Sequence, residues 1–162
     1  MDKVVYVVGT RHRFQGWRNI FHPTPKRQLD QFKTFLQQAV HDYGIRSVAE
    51  EMSIEALTKY SRPDMPPRKS IPCLAAEELD LPHKYCDPDR ARRHELNITD
   101  DDNDENDKKR EAEWLAQLAN FASFPCLFVL GSKHNSTFCN LLKASGFRPF
   151  LLEKEWWPIN ST

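Results

Sequence analysis

Two apolar runs, Val4-Val5-Tyr6-Val7-Val8 and Cys126-Leu127-Phe128-Val129-Leu130, stand near opposite ends of the chain, and each is closed by Gly-x-x-His. The closures are Gly9-Thr10-Arg11-His12 and Gly131-Ser132-Lys133-His134. Short apolar runs of this kind bounded by glycine read as buried strands. The glycine lets the chain turn where a side chain would clash, and the histidine then stands just past the strand's carboxyl end. In an open parallel sheet that edge is where ligands bind. Two imidazoles delivered to one edge by distant segments make a built site.

The rest of the chain alternates strand and helix. Strands are expected over 3–9, 46–52, 83–87, 125–131 and 147–152. A polar loop with Phe14, Trp17 and Phe21 follows the first strand. Thr24 then serves as N-cap, with Pro25 at the first helical position. Leu29, Phe32, Leu36, Val40 and Tyr43 recur at helical spacing until Gly44. Shorter helices are expected over 53–59 and 71–79, and longer ones over 107–122 and 136–145. The stretch 62–69, with Pro63, Pro66 and Pro67, supports neither ladder nor helix. Residues 89–106 are charged and are expected to be a mobile loop. Trp156 and Trp157 are expected to cover an exposed edge. The alternation predicts a single α/β domain over 1–162, with a mainly parallel sheet flanked by helices.

Bulk composition excludes more than it assigns. Lys plus Arg equals Asp plus Glu at 23 each, so net charge does not indicate nucleic acid. No apolar run reaches the roughly 18 residues of a membrane span, and the amino-terminal run is too short for a signal peptide. The four cysteines, Cys73, Cys86, Cys126 and Cys139, show no C-x-x-C spacing and read as reduced thiols of a cytoplasmic protein. Neither G-x-G-x-x-G nor G-x-x-x-x-G-K-[ST] occurs. The acidic run 100–107 puts Asp100, Asp102, Asp104 and Glu111 at calcium-loop positions, but Glu105 stands where that loop needs glycine.

Parallel strands point their carboxyl ends one way. That rule gathers His12, the pair Glu50 and Glu51, Asp87 and His134 at one edge. Two histidines with one or two carboxylates are a ligand set for a divalent first-row metal: zinc, manganese, cobalt or iron. Such a metal could activate a water. Adjacent residues on a strand face opposite ways, so one of Glu50 and Glu51 enters the cleft, with Glu51 preferred. By the same alternation Asp87 faces the cleft and Cys86 the core. His83 lies at the start of its strand and reads as structural. Arg90, Arg92, Arg93 and His94 form a basic cluster that could clamp an anion.

The chain resembles the TraB/Tiki/ChaN-like superfamily, related by fold to erythromycin esterases. Val7-Val8-Gly9-Thr10-Arg11-His12 looks like the family's opening strand and Gly-x-x-His. Val48-Ala49-Glu50-Glu51-Met52 looks like its glutamate strand. Phe128-Val129-Leu130-Gly131-Ser132-Lys133-His134, with Phe138–Leu142 and Ala144-Ser145-Gly146-Phe147, looks like its closing unit. Arg110-Glu111 resembles its arginine signature. The chain is shorter than typical members, and Arg11 and Lys133 beside the histidines depart from a peptidase pattern.

The resemblance implies a metal-dependent hydrolase of peptide, ester or amide bonds. His12, Glu51 or Glu50, and His134 would hold the metal. Asp87 would be a fourth ligand or a base, and Arg11, Lys133 and Arg110 would stabilise negative charge. The substrate would be a small molecule or peptide, anionic if Arg11 and Lys133 face it. The rival reading is a binding protein that holds haem or another small molecule on the same histidines. A third is an interaction domain that uses Trp156 and Trp157. The sequence leaves room for a homodimer.

Overall fold

The computed structural model describes residues 2–16, 21–59, 64 and 68–160. Trp17 and most of the proline-rich stretch 62–69 lie outside them. In chain order the elements are β1 (Val4–Thr10), α1 (His12–Gln15), α2 (Lys26–Tyr43), β2 (Ser47–Glu50), α3 (Ile54–Thr58), α4 (Ile71–Glu78) and β3 (His83–Tyr85). They continue with α5 (Arg90–Glu95), α6 (Asp104–Phe121), β4 (Cys126–Gly131), a 3-10 turn (Ser132–His134), α7 (Asn135–Ala144) and β5 (Arg148–Glu153). No helix among the described residues is long and apolar enough to cross a membrane.

The five strands form one all-parallel sheet in the order β3-β2-β4-β1-β5. β2 and β4 are buried along their whole length, because helices cover both faces, as parallel sheets require. Strand alternation sorts the side chains between two cores. Val8, Val48, Leu127 and Val129 pack against Phe14, Phe32, Leu36, Ala75 and Ala76 from α1, α2 and α4. Val5, Val7, Ala49, Cys86, Cys126, Phe128 and Leu130 pack against Trp114, Leu118, Phe138 and Leu142 from α6 and α7.

This winding creates the site. The connection leaving β1 runs over one face and the connection leaving β4 runs over the other, while β1 and β4 lie side by side. Their departing loops diverge and open a crevice at the carboxyl edge, the topological switch point of an open α/β sheet. Both Gly-x-x-His turns are those departing loops.

Several local expectations are corrected. Residues 89–106, expected as a mobile charged loop, carry helix α5 and the capped start of α6. Asp89 caps α5 by accepting from Arg92 N, and Asn103 caps α6 by accepting from Asn106 N. Buried Asn106 ties the intervening turn together through Thr99 and the Asp101 carbonyl. These side-chain-to-backbone bonds order a stretch whose composition reads as solvated. Asp104, Glu105 and Asp107 fall in the first turn of α6, where carboxylates complement the helix dipole.

Thr24 does not cap α2. Pro25 takes the N-cap position, and the Thr24 hydroxyl donates to the Arg13 carbonyl instead. Trp156 does not cover an edge. It is buried against Phe14, Phe32 and Phe35, and its backbone N–H donates to the Gly9 carbonyl.

Candidate functional site

Glu51 is the centre of the crevice. It follows β2, its N–H donates to the Val129 carbonyl, and its side chain is buried on the α6 side of the sheet. Oε1 accepts from the Gly131 backbone N–H at 2.7 Å. Oε2 accepts from Arg110 Nη2 at 2.5 Å. His12 Nε2 and His134 Nε2 each lie 3.6 Å from that same oxygen. The two turns thus bring both predicted histidines to one carboxylate oxygen.

Close approach requires glycine at position 9 and leaves little room at position 131. A Cβ on Gly131 would stand 3.1 Å from Glu51 Oε1 and 3.2 Å from His12 Nε2. A Cβ on Gly9 would stand 2.1 Å from the Lys154 carbonyl oxygen, which no side chain tolerates.

The two histidines differ. His12 opens α1, is partly exposed, lines the cavity and has Nδ1 3.0 Å from Gln15 Oε1. His134 is buried. Its ring packs edge-on against Trp114 at 4.8 Å, with Nδ1 3.8 Å from Glu111 Oε2. Glu111 in turn accepts from the Thr137 hydroxyl at 2.6 Å. Among the described residues His134 Nε2 has no hydrogen-bond partner.

Glu50 is on the other side of the sheet. Its Oε2 lies 2.6 Å from His83 Nε2 and accepts from the Ser70 hydroxyl at 2.6 Å, and its Oε1 accepts from Gln15 Nε2 at 3.4 Å. Burial alone would lower the His83 pKa, but hydrogen bonds to Cys73 and Glu50, together with the charge of Glu50, raise it to about 9.

Asp87 and Cys86 follow the end of β3 and both lie on the α6 side, Cys86 in the core and Asp87 against Arg110 and Arg93 behind the crevice lining, so they are not split between two faces. Three donors converge on Asp87. Oδ1 accepts from Arg110 Nε and Trp114 Nε1, and Oδ2 accepts from Arg93 Nη2 at 2.7 Å. It holds Arg110 and Arg93 in place. Burial works against the Arg110 charge, yet Asp87 and Glu51 outweigh it and hold the guanidinium above its ordinary pKa. Cys86 is pushed well up by burial, as expected of a packed thiol.

The remaining predicted cations separate. Lys133 lines the crevice and pairs with Asp102 at 2.8 Å. Arg11 pairs with Glu155 at 2.8 Å and stacks over Trp157, away from the cavity lining. In the basic cluster, Arg92 holds Glu113 and Glu95, and Arg93 holds Asp87.

The cavity has a volume of about 480 Å³ and reaches from His12, Glu51 and Arg110 to Lys133 and the turn 99–102. Among the described residues Ile98 is the one large apolar side chain in its lining, which is otherwise polar and charged. The metal expectation meets an obstacle. Arg110 already occupies the cation's place on Glu51. Among the described residues no group of three His, Cys, Asp or Glu side chains is placed to hold a metal ion. The residues do not form a ready first-row metal centre.

Sequence reasoning missed Gln15, Trp114, Asp107 and Thr137. Glu111 was singled out only as a calcium-loop position and as part of the arginine signature. Gln15 stands three residues after His12, within reach on a helical turn, and that spacing is the one signal that could have found it.

Fold and site together define a doubly wound α/β domain with a polar, two-histidine crevice at its switch point. The chain matches no family model, no curated protein and no solved structure.

Proposed function

We propose that this chain is a hydrolase acting in the switch-point crevice, with His12 as general base and Glu51 and His134 completing the site. The observation that carries the reading is His134 Nε2. It is buried and has no hydrogen-bond partner among the described residues, and it lies 3.6 Å from the oxygen that His12 also faces. A buried polar atom left without a partner costs about 1–3 kcal/mol. Three groups converging without bonding one another suit a bound water or a substrate donor.

In the proposed reaction His12 Nε2 takes a proton from water as the water oxygen bonds to the substrate carbonyl carbon. The developing oxyanion faces the Lys133 ammonium at the crevice rim. Collapse breaks the bond to the leaving group, which takes the proton back from His12. Arg110 holds the Glu51 carboxylate in place. The peptide, ester or amide class of the bond follows the resemblance of the two turns and Glu51 to the TraB/Tiki/ChaN-like superfamily.

The test is hydrolysis of activated aryl esters, anilides and short peptides by the purified chain and by His12→Ala and His134→Asn. Both variants are expected to lose about 100-fold or more in kcat/KM while unfolding cooperatively. No turnover of any of the three substrate classes by the unsubstituted chain would overturn the hydrolase and leave the small-molecule binder. Turnover that survives both substitutions would remove the histidines from it.

A further inference from the structure

We infer that Gln15, oriented by Glu50 across the sheet, is a positioning residue that fixes His12 as the Nδ1–H tautomer and so keeps the Nε2 lone pair aimed into the crevice. The inference rests on the proposed role of His12 and extends it to groups outside the cavity.

Donors and acceptors around Gln15 match in one orientation only. The Gln15 side chain is fully buried and has one acceptor oxygen and one NH2 group. Its nitrogen lies 3.4 Å from Glu50 Oε1 and 3.3 Å from the Glu51 carbonyl oxygen, both of them acceptors only. Rotating the amide by half a turn would set its oxygen against those two oxygens and lose both bonds. The NH2 group must therefore face Glu50, and Oε1 must face His12 Nδ1 at 3.0 Å. An oxygen there can only accept, so Nδ1 carries the proton. A neutral imidazole then has its lone pair on Nε2.

Glu50 is itself held. Its Oε2 is occupied by His83 Nε2 and by the Ser70 hydroxyl, each at 2.6 Å, which leaves Oε1 for Gln15. The Ser70 hydroxyl also accepts from Cys73 N at the start of α4, and the Ser70 N–H donates to the Tyr85 hydroxyl. A chain of bonds thus runs from His83 on the edge strand β3, through Glu50 and Gln15, to His12. It gives the buried Glu50 a use that its distance from the cavity does not suggest. The same tautomer explains the long His12–Glu51 separation. Nε2 and Oε2, both acceptors, stand 3.6 Å apart and await a donor between them.

The test is long-range proton–nitrogen correlation NMR of the imidazole nitrogens, in the unsubstituted chain and in Gln15→Met, at a pH where His12 is neutral. The expected result is an Nδ1–H signature for His12 that shifts to a mixture or to Nε2–H in Gln15→Met, with the other histidine signals unmoved. An Nε2–H signature in the unsubstituted chain overturns the inference, as does an Nδ1–H signature that persists in Gln15→Met. Gln15→Asn, whose shorter amide cannot span from His12 to Glu50, serves if the methionine variant does not fold. In the hydrolase assay the Gln15 variants should lose about tenfold in kcat with KM unchanged. The NMR readout needs no turnover. A chain with the Nδ1–H tautomer and no hydrolysis keeps this inference and loses the hydrolase.

Discussion

Glu51 Oε2 accepts from Arg110 Nη2 at 2.5 Å, so the carboxylate that both histidines face already has its cation. Asp87 locks that arrangement by holding Arg110 Nε and Arg93 Nη2 together. A guanidinium bound on two sides by buried carboxylates is not easily exchanged for a metal, because removing it leaves two charges unpaired in a poorly solvated place.

Metal titration tests this directly. Calorimetry with zinc or manganese should give no stoichiometric site in the unsubstituted chain, and a chelator should leave hydrolysis unchanged. Arg110→Met should cost about 3–5 kcal/mol in urea unfolding, the usual loss when one partner of a buried ion pair is removed. A stoichiometric metal site that disappears in His134→Asn would show that Arg110 swings aside and would restore the metal-dependent reading.

The buried His83–Glu50 pair makes stability depend on pH. The His83 pKa is about 9 in the folded chain against an ordinary 6.5, so the native state holds the proton more tightly than the unfolded chain. The contribution is therefore fully present below about pH 6.5 and is lost as pH rises through about 9. Its size is at most about 3 kcal/mol. Urea midpoints should fall between those two pH values in the unsubstituted chain. The matching curve for His83→Gln should be flatter, and an identical slope in both would refute the assignment.

The two glycines should respond differently to alanine. In Gly9→Ala the new methyl meets a backbone oxygen that cannot move alone, so the whole Lys154 segment must shift. The loss should reach or exceed about 3 kcal/mol. In Gly131→Ala the neighbours are the Glu51 carboxylate and the His12 ring, which can yield by a few tenths of an ångström. That variant should stay folded and lose mainly hydrolytic activity. Equal destabilisation of the two would contradict the contact geometry.

Cys86→Ser separates thiol chemistry from packing. The thiol is buried in the core against Ala49 and Trp114, on the face away from Glu50. The serine variant should lose about 1–3 kcal/mol for a poorly satisfied buried hydroxyl and keep its activity. An inactive but normally folded Cys86→Ser would make the thiol a nucleophile and replace the histidine mechanism.

Much of the fold was legible because it rests on local rules. Apolar runs ended by glycine became β1 and β4, helical spacing gave α2, and Ser53 capped α3 by accepting from Ala56 N. Strand alternation alone separated Glu50 from Glu51, whereas Cys86 and Asp87 follow the end of β3 and both lie on the α6 side. Alternation separated the two glutamates because a two-residue period needs no knowledge of what lies across the sheet.

What only the tertiary structure decided was which strands are neighbours. The sequence by itself placed two Gly-x-x-His turns at one edge of a parallel sheet. It could not say that β1 and β4 lie side by side, with their connections leaving over opposite faces. Nor could it say that Arg110, on a helix far along the chain, would reach Glu51, or that Arg11 would turn to Glu155. Charge partners are chosen by whichever groups packing brings within reach, and packing is a property of the whole chain. The residue types of the site were therefore readable in order, while their pairing, and with it the chemistry, was set by the winding of the sheet.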